Sequence, residues 1–158
     1  MRRHRLREPF VYFVDECLGR HVVPDTLREA VAEGERVELL PQGTTDLQWI
    51  PLGHRGGWVC LTKDRALRRR PNELAALLAG ELAVFVVGEA RGEVQAARIV
   101  RALRTIRRAL RSRDAPLIAR IDDDGGVTLL FEGGSPLSPP RRIKPKGTGG
   151  RTAKDPKP

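Results

Sequence analysis

Three aspartates stand where this chain can do chemistry. Asp15, with Glu16 beside it, closes the apolar run Phe10-Val-Tyr-Phe-Val14. Asp64 follows a second such run, Trp58-Val-Cys-Leu-Thr62, after Lys63. Asp46 follows Thr44-Thr45 at the head of a stretch carrying Leu47, Trp49 and Ile50. A short apolar run rich in Val and aromatics reads as a buried strand. In open α/β sheets, ligands bind beyond the carboxyl ends of the strands. Two strands that end on acids therefore collect carboxylates at one sheet edge, and a helix starting at Asp46 can be placed over the same edge. Clustered carboxylates repel unless a cation sits between them, and hard oxygen donors select Mg²⁺ or Mn²⁺. Asp15, Asp46 and Asp64, with Glu16 as a helper, can hold one or two such ions. Ions held there orient a water, lower its pKa and neutralise charge on a scissile phosphate. Two plainer readings stay open: Asp46 as a helix N-cap, and Glu16 as a solvent-facing acid.

The elements that must position these acids follow from periodicity and punctuation. Strands are expected at 10–15, 36–40, 58–62 and 82–87. Helices are expected over 18–33, ended by Gly34, from about 44 until the Gly-rich 53–57, and from Pro71 through Leu78. A longer helix is expected over 93–111. Its Ile99, Leu103, Ile106 and Leu110 form an apolar stripe, and Arg98, Arg101, Arg104, Arg108 and Arg111 a basic stripe beside it. Residues 117–121 and 127–131 flank Asp122-Asp-Asp-Gly-Gly126, which predicts a β-hairpin over 117–131. Alternating strands and helices argue for a parallel sheet with right-handed crossovers. From Gly133 on, Pro, Gly and Lys dominate, so 133–158 is expected as a disordered basic tail. The expected organisation is a basic arm over 1–9, one domain over 10–132, and that tail.

The net charge of +9 is unevenly placed. Residues 1–8 carry four Arg against one Glu, and residues 133–158 carry seven basic residues against one acid. The stretch between them is balanced, so the basicity belongs to the ends. Such ends either add non-specific affinity for nucleic acid or simply stay solvated. Cys17 and Cys60 are the two cysteines, too few for a disulfide scaffold and consistent with a reducing cytoplasm. Both are expected as buried, inert thiols. No apolar run is long enough to span a bilayer, and no signal-peptide pattern is present. Zinc spacings, a phosphate loop and a Ser elbow are all missing. Lys63, Arg65, Arg68, Arg69 and Arg70 adjoin Asp64. Of these, Lys63, Arg65 and Arg68 are candidate phosphate contacts, with charge balance beside the acids as the alternative. The aromatics fall mostly in expected core, which argues against a base-stacking platform.

Phe13-Val-Asp-Glu-Cys-Leu-Gly19, Asp46-Leu-Gln-Trp-Ile-Pro51 and Gly57-Trp-Val-Cys-Leu-Thr-Lys-Asp-Arg65, followed by Arg68-Arg-Arg-Pro-Asn-Glu-Leu74 and Val84-Phe-Val-Val87, resemble the PIN-like domains, and within them the branch of VapC-type toxins. The resemblance covers roughly residues 10–110. It implies a three-layer α/β/α sandwich around a mainly parallel sheet. It also implies a ribonuclease whose Mg²⁺ or Mn²⁺ is bound by acids matching Asp15, Asp46 and Asp64, with a small polar residue at the Thr62 position supporting the site. It further implies RNA as substrate, a cognate antitoxin protein as partner and a possible homodimer. One departure is that the fourth acid many PIN nucleases carry soon after the Asp64 position is replaced by Arg65-Ala-Leu-Arg-Arg-Arg70. The alternative reading is a PIN-like module that binds RNA or protein without cutting. A phospho-acceptor receiver domain also places acids at strand ends. It needs a hydroxyl residue ending the fourth strand and a Lys after the fifth, which Val87-Gly88 and Ile121-Asp122 do not supply.

Overall fold

The computed structural model describes residues 4–63 and 70–144. Asp64, Arg65, Arg68, Arg69 and the stretch 145–158 lie outside them. Along the chain run β1 (Val11–Val14), a 3₁₀ turn (Glu16–Leu18), α1 (Val22–Ala30), β2 (Arg36–Glu38), α2 (Asp46–Gly56) and β3 (Val59–Thr62). There follow α3 (Pro71–Ala79), β4 (Ala83–Val87), α4 (Gly92–Ser112), β5 (Leu117–Ile121), β6 (Val127–Glu132) and β7 (Ser135–Ile143). All seven strands join one sheet in the order β2-β1-β3-β4-β5-β6-β7. The first five strands are mutually parallel, and β6 and β7 are antiparallel additions.

The central strands are continuous apolar runs because both faces of the sheet are covered. Successive side chains go to opposite faces, and the core divides accordingly. Tyr12, Val14, Val59, Leu61, Ala83, Phe85 and Val87 pack with α1 and α4. Phe13, Cys60, Val84 and Val86 pack with Trp49 and Ile50 of α2 and Leu77 of α3. The result is the expected α/β/α sandwich. Helix α4 shows why: Ile99, Leu103, Ile106 and Leu110 are all buried, one stripe at helical spacing.

Two features fasten the α1–α4 layer. Gly34, at φ +86°, makes a turn that L side chains adopt only under strain. That turn brings Glu35 back so that its carboxylate accepts the Ala32 N–H at 2.9 Å. The same carboxylate receives Arg107 in a two-pronged pair at 2.9 and 3.0 Å and the Tyr12 hydroxyl at 3.0 Å. The Glu35 side chain is only 5 % exposed. Burial raises its pKa, but the Arg107, Ala32 and Tyr12 hydrogen bonds outweigh that and hold it below the ordinary value.

Three expectations need correction. The tail does not begin at 133, since Ser135–Ile143 forms β7 on β6. This strand has almost no buried face, and Pro136, Pro139 and Pro140 break its pattern. Such a strand can only sit at a sheet edge, where prolines also block further pairing. The first helix is shorter than 18–33: a 3₁₀ turn and Gly19 come first, and α1 proper covers nine residues. Residues 4–9 are docked rather than free. Leu6 is buried, Arg5 reaches Asp114 and the Arg111 carbonyl, and Glu8 pairs with Arg111.

Candidate active site

Strand order reverses at β1: the chain leaves it for β2 on one side, and β3 lies on the other. In open parallel sheets this switch point, at the carboxyl ends of the strands, is where a crevice forms. Phe13 pairs with Cys60 and Val14 with Leu61, so the next rung places Asp15 opposite Thr62. The Asp15 N–H continues the ladder to the Leu61 carbonyl at 2.9 Å. Asp15 and Thr62 therefore share the α2/α3 face. There the buried Thr62 hydroxyl donates to Asp15 Oδ2 at 2.8 Å.

Cys17 folds back over this pair through the 3₁₀ turn. Its Sγ lies 3.3 Å from Asp15 Oδ2 and 3.2 Å from Thr62 Oγ1, and it accepts the Lys63 N–H at 3.4 Å. Burial, then the adjacent Asp15 charge, pushes the Cys17 thiol up to about 11. It is a neutral hydrogen-bonding group here, and it is half-buried beside the candidate site where the sequence predicts a buried thiol; Cys60 is the buried one. Burial also raises the thiol of Cys60. Oδ1 of Asp15 accepts no hydrogen bond among the described residues.

Asp46 reaches the same face from α2. Trp49 packs on Phe13 with ring centroids 4.9 Å apart, and Phe13 lies two residues before Asp15 on the same side of β1. The N-cap of α2 is Thr45, in a capping box with Gln48, so the N-cap reading of Asp46 does not hold. Asp46 occupies the first helical position instead. Its Oδ1 accepts the Trp49 indole N–H at 2.9 Å, and its Oδ2 pairs with Arg70 at 3.4 Å. Glu16 accepts the Gly43 N–H at 2.6 Å, tying β1 to the loop before α2. Both Asp15 and Glu16 line a small cleft with Phe13, Leu40, Pro41 and Thr44.

Thus Asp15, Thr62 and Cys17 are brought into contact, Glu16 flanks them, and Asp46 is held by its own partners. Among the described residues no three His, Cys, Asp or Glu side chains form a metal-binding group. The expectations for Asp64, Arg65 and Arg68 fall outside those residues. Lys63 extends to Glu89, with Nζ 3.4 Å from Oε2. Glu89 was missed in the sequence. It follows β4 by two residues, so it too is an acid closing an apolar strand, and Gly88 interrupts the pattern that would have flagged it. The donor chemistry suits a hard divalent cation: carboxylate oxygens at a polar edge, one of them unengaged.

Residues 10–89 match the family described as PIN like domain. The chain belongs to the PIN-like domain family. It stands in the VapC-type branch. It is 34 % identical over 109 residues to a protein named "Putative ribonuclease VapC45" from Mycobacterium tuberculosis (strain ATCC 25618 / H37Rv), with 63 % of this chain and 77 % of that protein covered. No solved structure matches it. The PIN-like match runs from β1 to Glu89, so it contains every acid of the candidate site. Helix α4, the hairpin and β7 lie beyond it.

Proposed function

We propose that this PIN-like chain is an endoribonuclease dependent on Mg²⁺ or Mn²⁺, and the toxin member of a toxin–antitoxin pair. The observation that carries this reading is Asp15 at the switch point, oriented by Thr62 and with no donor on Oδ1 among the described residues. The named ribonuclease relative supports RNA as the substrate class. Asp15 and Asp64 would hold the ion, with Asp46 or Glu16 completing the set. When bound, the ion supplies an acidified water and neutralises charge on the phosphate.

The chain's own residues do the rest. Thr62 fixes the rotamer of Asp15, so its open oxygen faces the crevice. Cys17 packs over both and keeps bulk water off the shared hydrogen bond. Lys63, with Arg65 and Arg68, binds the phosphates that flank the scissile bond. Asp46 is anchored by Trp49 and Arg70, and a substrate phosphate would compete with it for Arg70. Helix α2 and its loop, which rim the cleft at Pro41 and Thr44, offer the antitoxin a surface from which to cover the edge.

The test is cleavage of a mixed RNA pool by antitoxin-free protein in Mn²⁺, Mg²⁺ and EDTA. Cleavage with either metal and none in EDTA supports the reading; metal-independent cleavage contradicts it. A second reading, a binding module that does not cut, is favoured by one observation: both Asp46 oxygens already have partners. Metal-dependent cleavage lost in Asp15→Asn excludes it.

A further inference from the structure

Away from the candidate site, α4 presents a row of cations without counter-charges. Arg98 pairs with Asp123, Arg107 with Glu35, and Arg111 with Glu8. Among the described residues Arg101, Arg104 and Arg108 have no acidic partner, and neither does Lys144. Arg101 and Arg104 are exposed. Their spacing of three and four places them along one side of the helix, a row about 10 Å long at the helical rise.

The row runs into a groove between the carboxyl-terminal half of α4 and the edge strand β7. Arg108, Arg113, Arg141, Arg142 and Lys144 line it, and among the described residues no acid does. Glu132 is shared between Arg113 and Arg141, and Arg142 pairs with Asp122 and Asp124. Nε of Arg113 is buried with no hydrogen-bond partner, an uncommon state for a guanidinium nitrogen. Gly126, at the turn beside the row, is packed against the Arg142 guanidinium, and a Cβ there would come within 2.4 Å of it. Of the groove's cations, Arg108 and Lys144 have no acidic partner among the described residues, and Arg108 donates to the Lys144 carbonyl.

We infer that this face is a second RNA-docking surface, which grips the phosphate backbone of substrate on the α4 side of the sheet, opposite the face that carries Asp15 and Thr62. The inference rests on RNA being the substrate. A partner protein is the less suitable occupant, because protein interfaces are anchored by buried aromatic and apolar side chains. Among the described residues the exposed large apolar side chains are Leu47 and Leu52 of α2 and Val22, which lies against Gly92 at the end of α4 away from the groove. Guanidinium groups suit phosphate oxygens, in two-pronged contacts. With no exposed aromatic ring alongside, the contacts read backbone rather than base. The surface adds affinity for long RNA without adding sequence preference.

The test uses full-length protein carrying Asp15→Asn, in EDTA, so that binding is read without cleavage. The probe is a labelled, unstructured single-stranded RNA titrated at several salt concentrations. Each lost phosphate contact lowers the slope of log K against log salt by about 0.7. Replacing Arg101, Arg104 and Arg108 together with Gln should lower that slope by about 2 and weaken binding at least about tenfold at low salt. The triple Arg→Lys variant should keep the slope. A control pair on other helices, Arg28→Gln with Arg55→Gln, should change neither. An unchanged slope in the folded triple Gln variant overturns the inference, as does equal loss in the control pair. In protein with Asp15 restored, cleavage of a short oligonucleotide that cannot reach α4 should continue in the triple Gln variant. Absence of such cleavage in wild type would count against the nuclease reading alone and leave the binding result standing.

Discussion

Strand β1 carries two carboxylate sites on opposite faces of the sheet. On the α1/α4 side, Tyr12 reaches Glu35, whose oxygens are saturated by Arg107, Tyr12 and the Ala32 N–H. On the α2/α3 side, Asp15 takes Thr62 and Cys17 on one oxygen and leaves the other open. The first arrangement is complete within the chain and holds three elements together. The second leaves Oδ1 of the half-buried Asp15 without a donor among the described residues, at the edge of the cleft. On the proposed reading, saturation, more than burial or charge, separates the acid that builds the fold from the acid that binds a ligand.

The comparison breaks most readily at Asp15. Asp15→Asn keeps size and the Thr62 contact but removes the charge, so RNA cleavage should fall by about 10³-fold, the loss of several kcal/mol of transition-state stabilisation. Its thermal midpoint should stay close to wild type. Glu35→Ala should do the reverse. Removing one member of a buried pair costs about 3 kcal/mol, read as a lower urea midpoint, while the cleavage rate of the folded fraction is retained. The Glu35 effect carries a pH signature. Its folded pKa lies below the unfolded value, so its stabilisation is present above that unfolded value and is lost as pH falls through the folded one. Urea midpoints measured downward from neutral pH should therefore converge for wild type and Glu35→Ala in acid.

Smaller effects sharpen the same contrast. Thr62→Val removes the group that orients Asp15 and should slow cleavage by about 30-fold, the range seen when a ligand's supporting hydrogen bond is lost. Asp46→Asn keeps the indole contact and loses the Arg70 pair. It should slow cleavage by about tenfold and shift stability by less than about 1 kcal/mol, since Arg70 is well exposed. If Thr62→Val leaves the rate unchanged, Asp15 does not depend on the orientation described.

Much of this was legible in the residues because burial on both faces leaves an unbroken apolar run. Strands β1, β3 and β4 and the acids closing the first two stand out for that reason. Helix α4 is equally plain from its stripe. What was hidden depends on distant partners or on exposure. Glu35 looks like an ordinary turn acid, and its Arg107 lies 72 residues away. Strand β7 carries prolines and exposed side chains, the composition of a loop, and becomes a strand only because β6 offers it an edge. One partner of Asp46 was nearer to hand, since an indole three residues along a helix is within reach of its carboxylate, while Arg70 lies 24 residues on. That pairing is what separates Asp46 from Asp15.

The central claim is that an incompletely satisfied Asp15 makes this edge a metal-dependent ribonuclease site. The most direct measurement compares RNA cleavage by wild type and Asp15→Asn in Mn²⁺, Mg²⁺ and EDTA, with the thermal midpoint of each protein taken in the same buffers. The account predicts cleavage by wild type with metal, none in EDTA, cleavage slowed about 10³-fold in the variant, and matching midpoints. Equal cleavage by both proteins, or cleavage undiminished by EDTA, would contradict it.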